Sequence, residues 1–193
     1  MPEHLFKFSD LEVLENNPPE GNYEILIVGT FNGDIEGNLA TWFYGRPENE
    51  FWCLFPRMLD KPSLHPVDRD ENINELTFLW KQFCVVNKVI IVDLFKEVLI
   101  ELPNQGDTLL TNLESDQYIA FDFETAFANC RFRKVMFTWK GMETNTLTDF
   151  KHEYINFFEQ KGSTMAHLLT PSLAYPKSRY IKLNQWKEAY QHE

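Results

Sequence analysis

The sequence predicts an α/β fold: a three-layer α/β/α sandwich around a central, mainly parallel four-stranded sheet. The prediction rests on four short, apolar, β-branched runs and on the amphipathic segments that separate them. The apolar runs are continuous, which is typical of parallel strands covered on both faces. A chain of 193 residues suits one domain, so residues 1–193 are expected to form a single unit.

The predicted strands cover residues 24–28, 89–92, 134–138 and 164–169. Each is rich in Val, Ile, Leu or Met, and each is followed within three residues by Gly, Asp or Pro. Ligands of parallel α/β sheets bind outside the carboxyl ends of the strands. The four strand ends are therefore the places where functional side chains are expected.

Apolar residues at helical spacing predict helices over 49–59, 73–83, 116–127, 146–160 and 181–190. The helix over 146–160 is closed by a Lys-Gly pair, which is a typical glycine stop. The last helix is expected to cover the surface. The polar stretch 104–116 is predicted to be a loop on the face that carries the strand ends.

Composition favours an ordinary globular, cytoplasmic protein, with 44% hydrophobic and 24% charged residues. No apolar run approaches the roughly 20 residues that span a bilayer, and the amino terminus lacks the pattern of a secretory signal, so no membrane partner is expected. Cys53, Cys84 and Cys130 lie far apart, and the five histidines show no ligand spacing. We expect a monomer with no metal and no cofactor.

The net charge of −11 at pH 7 argues against a nucleic-acid partner, because DNA affinity comes largely from Lys and Arg on phosphates. The distribution of charge softens this objection. Five basic residues and no acid lie between positions 161 and 187, namely Lys161, Lys177, Arg179, Lys182 and Lys187. This run predicts either a locally positive surface or an ordinary solvated face, and charge alone does not decide between them.

The first strand end carries the most informative motif. Residues 29–33 are Gly-Thr-Phe-Asn-Gly, and residues 43–52 are Phe-Tyr-Gly-Arg-Pro-Glu-Asn-Glu-Phe-Trp. Glycines in such a turn let the backbone approach a ligand closely. Tyr44 is suited to stacking on a base, Arg46 to meeting a phosphate, and Asn49 to holding a water or a base edge. The alternative is a role in the core, which we prefer for the Phe-Trp pair that ends the segment.

The fourth strand end carries a second candidate motif, Leu-Thr-Pro-Ser-Leu-Ala-Tyr at residues 169–175. Pro171 fixes a turn, and Ser172 with nearby backbone N–H groups is able to receive a phosphate. The alternative is a simple exit from a strand into a loop.

Together these segments resemble the uracil-DNA glycosylase superfamily and are closest to its hypoxanthine-DNA glycosylase branch. Residues 29–33 and 43–52 are similar to the first motif, and residues 169–175 are similar to the second. Residues 92–95, Val-Asp-Leu-Phe, and residues 137–141, Phe-Thr-Trp-Lys-Gly, stand where the branch has its other two strand ends. The resemblance covers nearly the whole chain. It implies a sheet of four parallel strands and a DNA-repair enzyme that flips a damaged nucleotide out of the stack and hydrolyses its N-glycosidic bond.

The resemblance also implies roles for individual residues, with DNA containing a deaminated base as the partner. The catalytic candidates for positioning water are Asn49 and its rival Asn32, which stands where much of the superfamily has Pro. The implied base pocket consists of Gly29, Thr30, Phe31, Gly33, Tyr44, Asp93 and Thr138. The implied DNA contacts are Arg46, Thr170, Pro171, Ser172, Leu173, Tyr175, Lys177 and Arg179.

Two departures from the family pattern leave alternatives open. Thr138 or Trp139 stands where the superfamily has an Asn that binds the amide edge of a base, so either uracil or hypoxanthine is a possible substrate. The His of many second motifs is absent, and His167 is expected within the last strand.

The alternative function is a glycosylase-fold protein without glycosylase activity that binds nucleic acid or a nucleotide. A weaker alternative is an unrelated α/β protein. The enzyme hypothesis places Asn49 and Tyr44 in one pocket that faces Ser172 across a groove.

Overall fold

A four-stranded, all-parallel sheet lies at the centre of the protein, with helices on both faces, as expected from the sequence. The computed structural model describes residues 5–32, 38, 40, 42–68, 73–100, 110, 113–139, 146–173 and 176–192. In chain order the strands are β1 (Gly21–Gly29), β2 (Val89–Asp93), β3 (Phe95–Val98), β4 (Tyr118–Ala120), β5 (Cys130–Phe137) and β6 (Thr164–His167). The order in the central sheet is β2-β1-β5-β6, and β3 and β4 form a separate antiparallel pair.

The helices form two groups. In chain order they are α1 (Leu5–Asn16), α2 (Phe51–Met58), α3 (Ile73–Val86), α4 (Phe123–Ala126), α5 (Thr146–Gln160) and α6 (Arg179–Gln191), with a 3-10 turn at Pro66–Asp68. Helix α2 contacts both α3 and α6 through aromatic rings, and α4 contacts α5 in the same way. Helix α1 packs against α4 and β3. The three-layer α/β/α architecture predicted from the sequence is confirmed.

The predicted strands are confirmed, but the helix predicted over 116–127 is wrong. Tyr118–Ala120 forms β4, which pairs with β3, and only Phe123–Ala126 is helical. The Asp122 carboxylate accepts a hydrogen bond from the Thr125 N–H at 3.0 Å and caps this short helix at its start. Strand pairing with β3 therefore outweighs the local helical spacing, and neither β3 nor α1 was predicted from the sequence.

A cluster of buried aromatic rings fixes the position of α2. Trp52 stacks on Trp80 of α3 with ring centroids 4.6 Å apart, and Phe51 meets Trp186 of α6 edge-on at 5.8 Å. Pro56 lies inside α2, yet the Trp52 carbonyl that its missing N–H would have bonded accepts instead from Leu64 N at 2.8 Å. Phe51 and Trp52 are fully buried, as their preferred core role predicts.

The strand register brings the carboxyl ends of three strands together. Gly29 at the end of β1 pairs with Asp93 at the end of β2, and Val28 pairs with Phe137 at the end of β5. The next residue after β5, Thr138, donates its N–H to the Val28 carbonyl at 3.1 Å. The side chains that follow these strands therefore share one edge of the sheet.

Candidate functional site at the carboxyl edge of the sheet

Three polar groups converge on Gly29. A Cβ atom added to Gly29 would lie 2.3 Å from Asp93 Oδ1, 2.8 Å from the Tyr44 hydroxyl and 3.3 Å from Asn32 Nδ2. The first two separations are shorter than ordinary Cβ contacts, so any side chain here would displace the Asp93 carboxylate and the Tyr44 hydroxyl. The structure thus brings together four of the residues that the sequence motifs predicted for one site.

Asp93 and Asn32 form a fixed pair at this point. The Asp93 carboxylate is fully buried, and its two oxygens accept from Asn32: Oδ2 from the backbone N–H at 3.0 Å and Oδ1 from Nδ2 at 2.8 Å. A buried carboxylate needs such donors, because burial without hydrogen bonds is costly. The pairing also determines the orientation of the Asn32 amide, since its Nδ2 is turned towards Asp93.

Tyr44 has an unusual backbone and a buried side chain. Its φ of 59° is in the left-handed region, its ring is only 5% exposed, and it stacks on Phe51 with ring centroids 4.0 Å apart. Its hydroxyl lies 3.1 Å from Thr138 Oγ1, which in turn donates to the Val28 carbonyl at 3.4 Å. The hydroxyl is thereby held at the strand ends, but one face of the ring is occupied by Phe51.

Thr30 and Phe31 are buried beside this cluster. The carbonyls of Gly29 and Thr30 accept from the N–H groups of Leu94 at 3.0 Å and Phe95 at 3.2 Å, which extends the β1–β2 pairing past the end of the strands. Gly33 lies outside the described residues. The wall of the site on the β2 side is therefore hydrogen-bonded main chain.

Asn49 lies in a second cluster, next to Ser172. The two residues form an antiparallel bridge, flanked by hydrogen bonds from Glu50 N to the Pro171 carbonyl at 2.9 Å and from Leu173 N to the Glu48 carbonyl at 3.0 Å. The predicted groove between Asn49 and Ser172 is therefore wrong, since their main chains are paired directly. Residues 48–50 and 171–173 thus form one paired segment, which we call the ridge.

The side chain of Asn49 has a structural role at the start of α2. Its Oδ1 accepts from the Phe51 N–H at 2.9 Å, and its own N–H donates to the Arg46 carbonyl at 3.0 Å. The Oδ1 contact satisfies one of the N–H groups that a helix leaves without an intrahelical partner. Asn49 thus binds the first turn of the helix, whereas Asn32 lies with Asp93 at the strand ends.

A buried ion cluster holds the ridge to α6, and sequence reasoning missed it. Lys182 is fully buried, and its Nζ lies 2.9 Å from Glu50 Oε2 and 2.8 Å from the Ser172 carbonyl oxygen. Arg179 Nε donates to the other Glu50 oxygen at 2.9 Å. Burial opposes ionisation of Glu50, but hydrogen bonds and charge from Arg179 and Lys182 outweigh it and hold the pKa of Glu50 below its usual value. Glu50 and Lys182 are 132 positions apart, so no local pattern signals their contact.

His65 and Asp68 extend this cluster. The His65 ring is buried, Nδ1 accepts from the Val67 N–H at 3.2 Å, and the ring also bonds the Asn49 backbone. Burial lowers the pKa of His65, so the ring stays neutral at pH 7. Asp68 accepts from Ser63 Oγ at 2.6 Å.

Most basic side chains of the run at 161–187 have a partner within the protein, either buried or at the surface. Lys161 Nζ donates to the carbonyls of Phe127, Ala128 and Cys130 at 2.6 to 3.2 Å, Lys187 lies 2.5 Å from Asp60, and Arg179 and Lys182 bind Glu50. Lys177 is exposed. The run is therefore not a continuous solvated face, and Arg179 and Lys177 differ in their availability to a phosphate.

The remaining predicted DNA contacts surround the ridge. Leu173 is 54% exposed, whereas Pro171 is buried. The Thr170 Oγ1 accepts a long hydrogen bond from the Ser172 N–H at 3.4 Å. Arg46 is half-buried, and Tyr175 lies outside the described residues. Leu173 and Lys177 are thus the predicted contacts with exposed side chains.

No family model, no curated protein and no solved structure matches this chain. The likeness to the uracil-DNA glycosylase superfamily therefore rests on the sequence motifs. Within the described part of the chain, no helix has the length and apolarity needed to cross a membrane. Among the same residues, no group of three or more His, Cys, Asp or Glu side chains is placed to hold a metal ion.

Proposed function

We propose that the protein is a monofunctional DNA glycosylase that hydrolyses the N-glycosidic bond of a deaminated base, with uracil first and hypoxanthine second as substrate. The observation that carries the proposal is the convergence of Asp93, Asn32 and Tyr44 on Gly29, a position without a side chain at the carboxyl edge of a parallel sheet. Ligands of such sheets bind at this edge. The motifs that suggest the enzyme class contribute all four of these residues.

In this mechanism the Asp93–Asn32 pair positions the attacking water. The water oxygen bonds to C1′ of the flipped nucleotide as the C1′–N bond breaks, and the electron pair of that bond leaves with the base. The proton released by water passes to Asp93 and from there to the departing base. A water held between a carboxylate and an oriented amide needs no strong nucleophilicity, because the sugar develops positive charge in the transition state.

Asn32 is a better candidate than Asn49 for this role. Its Nδ2 already contacts the buried carboxylate at 2.8 Å, whereas the Oδ1 of Asn49 accepts from Phe51 N and begins a helix. A residue that positions water has to lie with the other polar groups of the site. The proposal therefore places the chemistry on the β1–β2 strand ends and not on the ridge.

The hydroxyls of Tyr44 and Thr138, which lie at the end of β5, contact the base in this proposal. Tyr44 and Thr138 lie 3.1 Å apart, and a hydroxyl is able both to donate and to accept. One hydroxyl donates to the base carbonyl while the other accepts from the adjacent ring N–H. Uracil and hypoxanthine share this carbonyl and N–H edge, so the pair accommodates both bases.

The ridge inserts into the duplex in this proposal. Leu173 is an exposed apolar side chain next to Ser172, and apolar wedges that enter a base step help to extrude a nucleotide. Four of the five basic side chains in the run 161–187 have partners within the protein, so we expect weak affinity for DNA and a shallow dependence of affinity on salt.

A strand-cleavage assay tests the proposal. Labelled oligonucleotides carrying uracil or hypoxanthine, single- or double-stranded, are incubated with the protein, and abasic products are revealed with alkali. We expect Asp93→Asn to lower the cleavage rate by about a hundredfold or more. Asp116→Asn, a change at an exposed aspartate, is the matched control and should leave the rate unchanged. An Asp93→Asn variant that cleaves as fast as wild type removes Asp93 from the mechanism.

A binding protein without glycosylase activity is the second candidate, and one observation favours it. Tyr44 is 95% buried with Phe51 stacked on it, which restricts its access to a base. Folded wild-type protein that cleaves neither substrate at low salt, yet changes the fluorescence anisotropy of a labelled oligonucleotide or nucleotide, would establish this alternative.

A further inference from the structure

Three lysines are buried in the described part of the chain, and Lys151 of α5 lacks the acceptors that hold the other two. Lys134 Nζ donates to main-chain carbonyls at the end of α6, and Lys182 Nζ contacts the Glu50 carboxylate and the Ser172 carbonyl. Lys151 is only 7% exposed, yet among the described residues no carboxylate pairs with it and no oxygen accepts from its Nζ. A buried charge without a counter-charge is unfavourable, so an anionic ligand would stabilise this one.

Two aromatic rings lie next to the ammonium group of Lys151. Its Nζ is 5.8 Å from the ring centroid of Phe137 and 6.0 Å from that of Trp139, and ring faces attract a cation. Burial lowers the pKa of Lys151 below its usual value, with no neighbouring charge or hydrogen bond that restores it. The Nζ does not belong to the fully enclosed polar atoms of the described chain, so an ion is able to reach it.

The acids closest to Lys151 along α5 point away from it. Asp149 and Glu153 are exposed and lie two positions before and after it, and residues two apart do not face each other on a helix. The positions three and four residues away, which do share its face, hold only uncharged residues: Leu147, Thr148, Tyr154 and Ile155. From β6, His167 stacks on Phe137 with ring centroids 5.4 Å apart. The charge of Lys151 is therefore left for an anion from outside the helix.

Lys151 lies at the same strand end as the hydroxyls proposed to contact the base. Phe137 is the last residue of β5, and Thr138 stands between the two aromatic residues in the chain. Phe137 and Trp139 face α5, since Lys151 lies over both rings, whereas the Thr138 hydroxyl lies 3.1 Å from that of Tyr44. A nucleotide bound across this edge would thus present its base to one side of the strand end and a phosphate to the other.

We infer that Lys151 binds a phosphate of the DNA backbone next to the flipped nucleotide. The inference rests on the proposed function, which places DNA at this edge of the sheet. Lysine binds phosphate as a point charge, and such contacts position the duplex without reading its sequence. Because four of the five basic side chains in the run 161–187 have partners within the protein, Lys151 supplies a phosphate contact that this run does not.

Fluorescence anisotropy with labelled, undamaged oligonucleotides, single- and double-stranded, tests the contact without depending on cleavage. We expect Lys151→Met to weaken binding roughly tenfold at low salt and to reduce the slope of log affinity against log salt by about one, as for one lost phosphate contact. Lys151→Arg keeps the charge and should keep most of the slope. Lys88→Met, at an exposed position just before β2 and so at the opposite end of the sheet, makes the same change in net charge and is the control.

Three binding results would overturn the inference. The first is an equal salt slope in wild type and Lys151→Met, and the second is an equal loss of affinity in Lys88→Met. The third is a wild-type protein that binds neither oligonucleotide at low salt. Inorganic phosphate is a further probe: side-chain NMR signals of Lys151 that respond to phosphate but to neither oligonucleotide would assign the lysine to a free anion and not to DNA.

Stability and cleavage separate this contact from the proposed function. Lys151→Met should leave the thermal midpoint unchanged or higher, because a charge without a partner leaves the interior. On a uracil substrate it should raise KM several-fold with little change in kcat. Cleavage by Lys151→Met with the wild-type salt slope removes the phosphate contact and leaves the enzyme. A reduced slope in a protein whose wild type cleaves no substrate removes the enzyme and leaves the contact.

Discussion

Replacing Lys182 with methionine tests the buried ion cluster that joins the ridge to α6. Methionine keeps the length and much of the volume of lysine but loses the ammonium group. The Glu50 carboxylate, only 4% exposed, then keeps Arg179 and loses its contact at 2.9 Å, and the Ser172 carbonyl loses a donor at 2.8 Å. The change therefore removes two short contacts from a site that water does not reach.

Removing one partner of a buried ion pair typically costs about 3–5 kcal/mol of the free energy of unfolding. Because Arg179 still neutralises part of the Glu50 charge, we expect the lower end, about 3 kcal/mol, for Lys182→Met. For a chain of this size each kcal/mol lowers the thermal midpoint by about 2–4 °C, so the midpoint should fall by about 6–12 °C.

Urea unfolding and thermal melts measure this effect, and Lys187→Met is the matched control. Lys187 contacts Asp60, whose side chain is 80% exposed, and such surface pairs contribute about 0–1 kcal/mol. A double variant, Lys182→Met with Glu50→Gln, should recover part of the loss because no unpaired charge stays buried. Equal destabilisation by Lys182→Met and Lys187→Met would refute the reasoning.

Three further predictions concern pH, the strand ends and the ridge. Both Glu50 and His65 have a pKa below the usual value in the folded protein, so each favours folding when deprotonated. The free energy of unfolding should therefore decrease as pH falls below about 6.5, and the decrease should be smaller in Glu50→Gln; urea titrations at several pH values measure both. Gly29→Ala should abolish cleavage and lower stability, because the new Cβ would lie 2.3 Å from the Asp93 carboxylate, and a melt with the cleavage assay will test both. Leu173→Ala should leave the thermal midpoint unchanged and slow cleavage of duplex substrate more than single-stranded substrate.

The sequence predicted the central sheet well because β1, β2 and β5 each contain a run of consecutive buried residues. Val89–Asp93 and Thr164–His167 begin where their apolar runs begin, and the extra residues of β1 and β5 lie outside the densest apolar stretches. A strand such as Tyr118–Ala120 is different, because it is short and pairs with a distant segment. Its identity depends on a tertiary contact that no local pattern records.

The sequence predicted which side chains lie close together where a motif and a strand end coincide. Gly29 and Asp93 follow predicted strands directly, so parallel pairing was enough to bring them together. The pairing of Asn49 with Ser172 and the contact of Glu50 with Lys182 depend instead on how two distant loops pack. Charge counting also failed for the basic run, because a lysine that is fully buried looks the same in a sequence as one in solvent.

The two asparagines offer the sharpest distinction between catalysis and structure. Asn49 Oδ1 accepts from Phe51 N at the start of α2, and losing such a contact typically costs about 1 kcal/mol. Asn49→Ala should therefore lower the free energy of unfolding by about that amount and leave the cleavage rate of folded protein unchanged. Asn32→Ala should lower the cleavage rate by about a hundredfold, because Asp93 loses the donor at 2.8 Å that orients the water site. Cleavage rates corrected for the folded fraction decide the matter: a large loss in Asn49→Ala with an intact Asn32→Ala would transfer the chemistry from the strand ends to the ridge.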